Sequence, residues 1–195
     1  MTSAKTSSEP GGRAPAPEPL GLVQRFVNSH DREGARDAFA TPESLARWLR
    51  DAGFRVGRLD ARDRERVVRL REALRALLLA NNGLRLDSRA LALLDREAAR
   101  TGLAVRFLAG APALAPRGSG LDRALGEVLA AVFAGMVDGT WPRLKACRRD
   151  VCQWAFFDRS KNRSGTWCTM EICGNRTKTR AYWRRTRGGR SVSSA

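Results

Sequence analysis

The chain has 195 residues, of which 43% are hydrophobic, enough for one core of ordinary size with a small module added to it. Its formal net charge is +16, from 36 lysine and arginine residues against 20 aspartate and glutamate residues. No apolar run is long enough to span a bilayer, and the first residues show no secretory signal. We therefore expect a cytoplasmic protein with no membrane partner, in a compartment that keeps cysteines reduced.

The first part of the chain predicts a leader followed by helices. Residues 1–19 are rich in Ser, Pro, Gly and Ala, which is typical of a disordered leader. The apolar residues of 20–28 fit either a short strand or a helical turn. Thr41 and Pro42 predict the start of a helix that ends near Asp51.

Two further helices follow in the pattern. A longer helix is expected after Asp60, with its end at the Asn81-Asn82-Gly83 run. Asp87 caps the next helix, which ends at Gly102. The residues that we expect to face inward from this second helix are Leu91, Leu94 and Ala98.

The pattern then changes from helix to strand and back. The alternation of side-chain character along residues 103–108 predicts a strand, and Pro112 and Pro116 predict a loop after this strand. A last helix is expected over residues 121–137. Its core residues, placed at helical spacing, are Leu125, Val128, Leu129, Val132 and Met136.

All four cysteines lie in one short segment, in two pairs of equal spacing, Cys147-x4-Cys152 and Cys168-x4-Cys173. This pattern is typical of a tetrahedral zinc site, because each pair can form a knuckle that supplies two thiolates. Two disulfides, an iron–sulfur cluster and redox-active cysteines are the alternatives. We favour one structural Zn²⁺. Four protein thiolates leave no open position for water, so such a zinc ion would not be catalytic.

The region around the cysteines, residues 143–187, is called the cysteine module below. Its aromatic stretch 153–157 predicts a short strand, and residues 158–165 predict the turn of a hairpin that returns at 167–168. A helix is expected from about residue 174 to 186. Knuckle, hairpin and ligand-bearing helix follow one another in a treble-clef-like order.

The predicted fold class is mainly α. A helical domain over residues 20–139 is followed, through a hinge at 139–142, by a small treble-clef-like zinc module with four cysteine ligands, made of a short β-hairpin and a helix. Residues 188–195 are expected to form a flexible tail.

Positive charge is concentrated in the same module. Residues 143–190 contain 14 lysine and arginine residues against three acidic residues, which is +11 of the total charge. This concentration favours a polyanion as partner, because neutralised phosphates release condensed counterions. The candidate nucleic-acid contacts are Arg159, Lys161, Arg163, Asn175, Arg176, Lys178, Arg180, Arg184 and Arg185.

The cysteine module closely resembles the CGNR zinc finger. The literal Cys-Gly-Asn-Arg stands at residues 173–176, and the match covers about residues 143–187. The helical region from Phe26-Val27-Asn28-Ser29 onward resembles the ABATE domain, which accompanies this finger in bacterial proteins described as stress-induced transcriptional regulators. The resemblance implies a zinc-bound DNA-binding module. One departure is Gly165-Thr166, where the family leads us to expect bulky basic residues.

No enzymatic constellation is recognisable in the helical domain, which has one histidine, His30, and no cysteine. We therefore expect a protein that is not an enzyme. Asn28 and His30 are candidates for a small-ligand pocket, and a turn or cap role is the alternative for His30.

These observations favour a zinc-dependent DNA-binding transcriptional regulator that works in the cytoplasm, on the nucleoid. The cysteine module would bind DNA, while the helical domain would sense a small-molecule effector or form a homodimer. The alternative is an RNA-binding protein or a protein-interaction adaptor in which the zinc finger is a structural staple. Charge by itself does not separate DNA from RNA.

Overall fold

A computed structural model of the chain describes residues 13–108 and 111–179. The described part is mainly α-helical, as predicted, with three short antiparallel hairpins between and after the helices. None of the described helices combines the length and the apolarity that crossing a bilayer requires. The elements in chain order are α1 (Leu20–Asn28), β1 (His30–Asp31), β2 (Arg36–Asp37), α2 (Pro42–Asp51), α3 (Ala61–Ala80), α4 (Ser88–Arg100), β3 (Leu103–Leu108), β4 (Ala111–Pro116), α5 (Gly120–Val137), a 3-10 turn (Trp141–Arg143), β5 (Leu144–Ala146), β6 (Ala155–Phe157) and α6, which begins as a π-helical turn (Met170–Gly174) and continues as α-helix over 175–179.

Capping side chains explain why the helices begin where the sequence predicts. Thr41 Oγ1 accepts a hydrogen bond from the Ser44 N–H at 3.2 Å, and Ser44 Oγ accepts one from the Thr41 N–H at 3.0 Å. Asp60 and Asp63 form the same reciprocal pair at the start of α3. Each pair satisfies N–H groups that the first helical turn leaves free.

Strand β4 occupies the place of a predicted loop. It pairs with β3, and Pro116 stands opposite Leu103. The Arg117 N–H donates to the Gly102 carbonyl at 3.2 Å, so these two residues form a hydrogen-bonded pair. Hydrogen-bonded and non-hydrogen-bonded pairs alternate along an antiparallel ladder, so the neighbouring pair, Pro116 and Leu103, requires no N–H from the proline. Pro112 lies four residues away, at an equivalent position. The loop prediction was wrong because a proline excludes a strand only where its N–H is required.

Two residues predicted to be in the core are exposed instead. Leu91 on α4 is 45% exposed and Met136 on α5 is 48% exposed. Helix α4 has no fully buried residue, because it covers the margin of the core. Its residues Leu94 and Ala98 pack against the core as predicted. The other apolar residues predicted for α5 are buried: Leu125, Val128, Leu129 and Val132.

One hydrophobic cluster joins the N-terminal helices to the strands of the cysteine module. Strand β5 packs on α3 and strand β6 packs on α1. The module contributes four buried residues to this cluster: Leu144, Ala146, Ala155 and Phe157. The first strands of the module and the helices therefore share a core.

Helix α3 buries three arginine side chains, Arg66, Arg71 and Arg75, the last two each 2% exposed. Arg71 donates to both carboxylate oxygens of Asp37, at 2.6 and 2.9 Å, and Arg75 donates to Glu72 at 3.0 Å. Burial by itself raises the pKa of Glu72, but Arg75 and Arg71 outweigh it and lower that pKa. The Arg71–Asp37 ion pair holds the β1–β2 hairpin against α3.

The segment predicted as a hinge is attached to the core. Trp141 is buried, and the Asn81 side-chain amide donates to the carbonyls of Trp141 and Leu144, both at 2.9 Å. Hydrogen bonds from a helix end therefore hold this connection in place.

Part of the predicted disordered leader is ordered. Ala16 is buried, and its N–H donates to Gln24 Oε1 at 2.6 Å. The Arg13 guanidinium lies over the Phe156 ring, 5.1 Å from its centroid. Residues 13–19 thus pack against α1 and the cysteine module. Residues 1–12 of the leader and the predicted tail, 188–195, lie outside the described residues.

Candidate metal centre and nucleic-acid interface

The first cysteine pair lies on the turn between β5 and β6. The two strands pair with Leu144 opposite Phe157, and the Cys147 N–H then donates to the Trp154 carbonyl at 3.0 Å. The Cys152 N–H donates to the Arg149 carbonyl at 2.8 Å. These bonds close a tight knuckle, with both thiols on its inner side.

The second pair lies at the start of α6. Cys168 directly precedes Thr169, whose hydroxyl accepts from the Ile172 N–H at 3.2 Å and caps the helix. Cys173 follows within the π-helical turn, and its side chain is buried. The predicted helix therefore exists but begins four residues earlier than expected. Of its predicted length, residues 180–186 lie outside the described residues.

The four thiols form one cluster. All four Sγ atoms lie within 4.8 Å of one another, and those of Cys152 and Cys168 are 3.6 Å apart. A zinc ion with bonds of about 2.3 Å to four tetrahedral thiolates would place the sulfurs about 3.8 Å apart. A disulfide requires about 2 Å, so the cysteines are free thiols. The donor set fits one zinc ion, with four protein ligands.

Electrostatics explains why this cluster needs a cation. Hydrogen bonding to Cys147, and then to Cys152, raises the pKa of Cys168, because these sulfur atoms cannot all carry a negative charge side by side. A divalent ion reverses this, since it stabilises the thiolates that bind it. Arg149 adds positive charge, because its Nη1 atom donates to Cys173 Sγ at 3.9 Å.

The cysteines have a small apolar cluster of their own. Phe156 is buried against them, and Trp154 and Trp167 are partly buried at its margin. Among the residues that the structure describes, few apolar groups surround the sulfurs, so the metal and not a large core holds this part of the module together.

The hairpin of the module differs from the prediction. Strand β6 pairs with β5, which precedes the first cysteine, and not with residues 167–168. Residues 158–165, called the cationic loop below, are closed by side chains instead. The buried Asp158 accepts from Lys145 Nζ at 2.8 Å and from the Gly165 N–H at 2.7 Å. Lys145 Nζ also donates to the Arg163 and Gly165 carbonyls.

This ion pair accounts for the glycine where the family led us to expect a basic residue. A Cβ atom on Gly165 would lie 2.8 Å from Cγ of Asp158, too close for any side chain. Burial by itself raises the pKa of Asp158, but hydrogen bonds from Lys145 and Ser160 outweigh it and lower that pKa to about 2. Asp158 is therefore an anion inside the cationic loop.

The predicted nucleic-acid contacts fall into two groups. Arg159, Lys161 and Arg163 are exposed on the cationic loop. Arg159 also donates to the Pro15 carbonyl at 2.8 Å. The second group, on α6, is exposed as well and consists of Asn175, Arg176 and Lys178. Three further predicted contacts lie outside the described residues: Arg180, Arg184 and Arg185.

Asn28, a candidate for the predicted ligand pocket, bonds strand β6 with its side chain. Its side-chain amide donates to the Ala155 carbonyl at 2.9 Å and accepts from the Ala155 N–H at 2.7 Å. Asn28 therefore extends the edge of β6 and joins α1 to the module. His30 begins β1 and is half-buried, with Nδ1 3.8 Å from Glu72 Oε1.

Among the residues that join the N-terminal part of the chain to the module, sequence reasoning did not single out Asn82 or Glu33. Asn82 donates to the Ala146 and Thr166 carbonyls, both at 2.8 Å, whereas the sequence indicated only a helix end there. Glu33 accepts from Arg149 and from Arg176, each at 2.7 Å. The Glu33 carboxylate raises the pKa of Arg149 above its usual value. No spacing in the sequence signals either contact.

Comparison with known families agrees with this geometry. The model of the CGNR zinc finger matches residues 143–186. The model of the ABATE family, described as "Putative stress-induced transcription regulator", matches residues 20–146, more than half of the chain. No curated protein matches the chain. The four clustered thiols in a CGNR finger identify a zinc-binding protein, and the chain belongs to the ABATE family.

Proposed function

We propose that the chain is a DNA-binding transcriptional regulator without catalytic activity, which acts in the cytoplasm on the nucleoid. The observation that carries the proposal is a closed four-thiol metal site that fixes an exposed cationic surface. Four protein ligands leave no position for a reacting water molecule. The zinc ion therefore gives the module its shape, and the cations supply the binding.

Charge supports a polyanionic partner. Arg159, Lys161 and Arg163 are exposed on a loop that the Lys145–Asp158 ion pair holds in one shape, so little flexibility is lost when they meet phosphates. Exposed cations that neutralise phosphates release counterions, which makes the affinity steeply dependent on salt.

The helical domain would control how the module is presented. Because strands β5 and β6 share the core of the helices, an effector or a second copy that shifts α1 or α3 would also move the module. We propose this coupling as the regulatory role of the domain. Dimerisation would add a second module and hence a longer DNA site.

Deleting residues 143–195 would remove part of the core, so the test uses substitutions of exposed charged residues instead. These leave the fold intact. In one variant, Arg159, Lys161 and Arg163 become glutamine. In the matched control, the exposed Arg47, Arg50 and Arg62 of α2 and α3 become glutamine, for the same change in net charge. Anisotropy of a labelled duplex is then measured over a range of potassium chloride concentrations.

We expect the loop variant to bind more weakly and its salt slope to fall by about two to three, roughly 0.9 for each lost phosphate contact. The control should keep most of the wild-type slope. Equal losses in the two variants would contradict the proposed interface. Stronger binding of single-stranded RNA than of duplex DNA, or binding of neither, would favour the RNA-binding or adaptor alternative.

A further inference from the structure

The carboxylate of Glu33 bridges two arginines that approach from different parts of the cysteine module. Oε2 accepts from Arg149 Nη1 and Oε1 accepts from Arg176 Nη1, each at 2.7 Å. Arg149 lies in the first knuckle and Arg176 in α6, just after Cys173. Folding around the metal therefore brings both guanidinium groups to one position.

That position requires an anion. Two guanidinium groups that converge repel each other unless a negative charge lies between them. The Arg149 side chain is nine-tenths buried, and within the described residues its Nε atom has no hydrogen-bond partner. The Arg176 and Glu33 side chains are 55% and 39% exposed, so solvent and ligands can reach the position.

Glu33 can leave without disturbing the hairpin that carries it. It lies on the turn between β1 and β2. Asp31 holds this turn by accepting from the Gly34 N–H and from Arg36, both at 2.8 Å. Arg71 holds its base through Asp37. None of these contacts involves the Glu33 carboxylate.

We propose that Arg149 and Arg176 form a phosphate-binding pair, which Glu33 occupies in the free protein in place of a DNA phosphate. The proposal rests on the proposed function. A phosphodiester, like a carboxylate, spreads one negative charge over two oxygen atoms, and arginine forks suit both groups. The Arg176–Glu33 pair is exposed on both sides, and such pairs contribute little. A phosphate also supplies the anion that the buried Arg149 needs, so a phosphate held by further contacts displaces Glu33.

The test compares Glu33→Gln with Glu65→Gln. Glu65 is exposed on α3, and its ion-pair partner, Arg69, lies on the same helix and not in the module. Its replacement therefore changes the net charge equally without removing a contact to the module. We expect Glu33→Gln to bind a labelled duplex roughly three- to tenfold more tightly than Glu65→Gln, with a salt slope steeper by about one. In an Arg176→Gln background, the gain from Glu33→Gln should disappear.

Opposite results are equally informative. If Glu33 only positions the two arginines, Glu33→Gln will bind DNA more weakly than Glu65→Gln, and the proposal is overturned. Equal affinities of the two variants overturn it as well. A wild-type protein without salt-dependent DNA binding would instead refute the proposed function itself.

Zinc content, measured by atomic emission, serves as the folding control for every variant. Should Glu33→Gln lose zinc, Glu33→Asp replaces it, because the shorter side chain keeps its charge but withdraws it from the arginines. A smaller gain in DNA affinity is then expected. Loss of zinc from both variants would show that Glu33 is structural and would overturn the proposal.

Discussion

The side chain of Asn82 shows how much a single amide contributes to the site. It is 8% exposed and donates to two carbonyls, one before each cysteine pair, at Ala146 and Thr166. Backbone carbonyls next to a metal site have few alternative donors, since the surrounding thiols accept hydrogen bonds themselves. Asn82 therefore fixes the distance between the two halves of the metal site.

We predict that Asn82→Ala lowers the free energy of unfolding by about 2 kcal/mol, because two partly buried acceptors lose their donor. Zinc affinity should fall with it, since the two cysteine pairs are no longer held in register. Urea denaturation and competition with a zinc chelator measure the two effects. Asn162→Ala, at an exposed position of the cationic loop, is the control and should change neither quantity by much. Unchanged zinc affinity in Asn82→Ala would contradict this role.

At the scale of single elements, α3 contributes charge as well as apolar surface. Arg75 donates to the Gln153 and Val27 carbonyls, both at 2.8 Å. One side chain of α3 therefore bonds both α1 and the segment that precedes β6. Its charge is balanced by Glu72, which also bonds Arg71 at 2.9 Å. Glu72 is thus the acid on which two buried arginines depend.

We predict that Glu72→Gln lowers the free energy of unfolding by about 2 kcal/mol at neutral pH. This is below the usual cost for a buried pair, because Glu72 is 35% exposed and solvent screens it. The folded pKa of Glu72 is lowered, so its contribution is present above the ordinary value near 4.5 and is lost as the pH falls below it.

The measurement is urea denaturation of both proteins between pH 8 and pH 3, in the same buffers. The difference between variant and wild type should stay constant down to about pH 5 and shrink below it. Acid removes zinc from both proteins and so lowers both free energies of unfolding. The quantity to compare at each pH is therefore the difference between the two free energies. A difference that grows with acidity would contradict the assigned ion pairs.

At the scale of the whole molecule, the shared core links metal binding to the stability of the helices. Strands β5 and β6 place buried residues against α3 and α1, and Gln24 of α1 donates to the Ala155 carbonyl at 3.2 Å. A structural zinc site supplies on the order of 10 kcal/mol to folding, comparable to the stability of an entire domain.

We predict that chelation of zinc lowers the unfolding temperature of the helices by roughly 20 °C or more, because about 10 kcal/mol is lost at about 2–4 °C per kcal/mol for a chain of this size. Far-UV circular dichroism reports the helices. Tryptophan fluorescence reports all five tryptophans, of which Trp154 and Trp167 lie beside the cysteines. With zinc bound, both signals should follow one transition. Helices that melt at the same temperature with and without chelator would show that the two parts fold independently.

Local sequence determined most of the helical framework. Thr41 and Asp60 begin helices because their side chains accept from the N–H group three residues on, a purely local effect. The predictions failed where the outcome depended on strand register or on packing against other elements. Such cases are the prolines of β4, which depend on the register with β3, and Met136, which depends on where the core ends.

The features of the metal site likewise fall into those that the sequence determined and those that the tertiary structure decided. The sequence by itself determined a mainly helical chain with one four-thiolate zinc site in a cationic module, because cysteine spacing and charge are local properties. Only the tertiary structure decided that β6 pairs with β5, that Asn28 and Asn82 bond the module, and that Glu33 lies between Arg149 and Arg176. Apart from the β5–β6 pairing, these contacts join residues far apart in the chain, so they depend on how the helices pack and leave no periodic trace in the sequence.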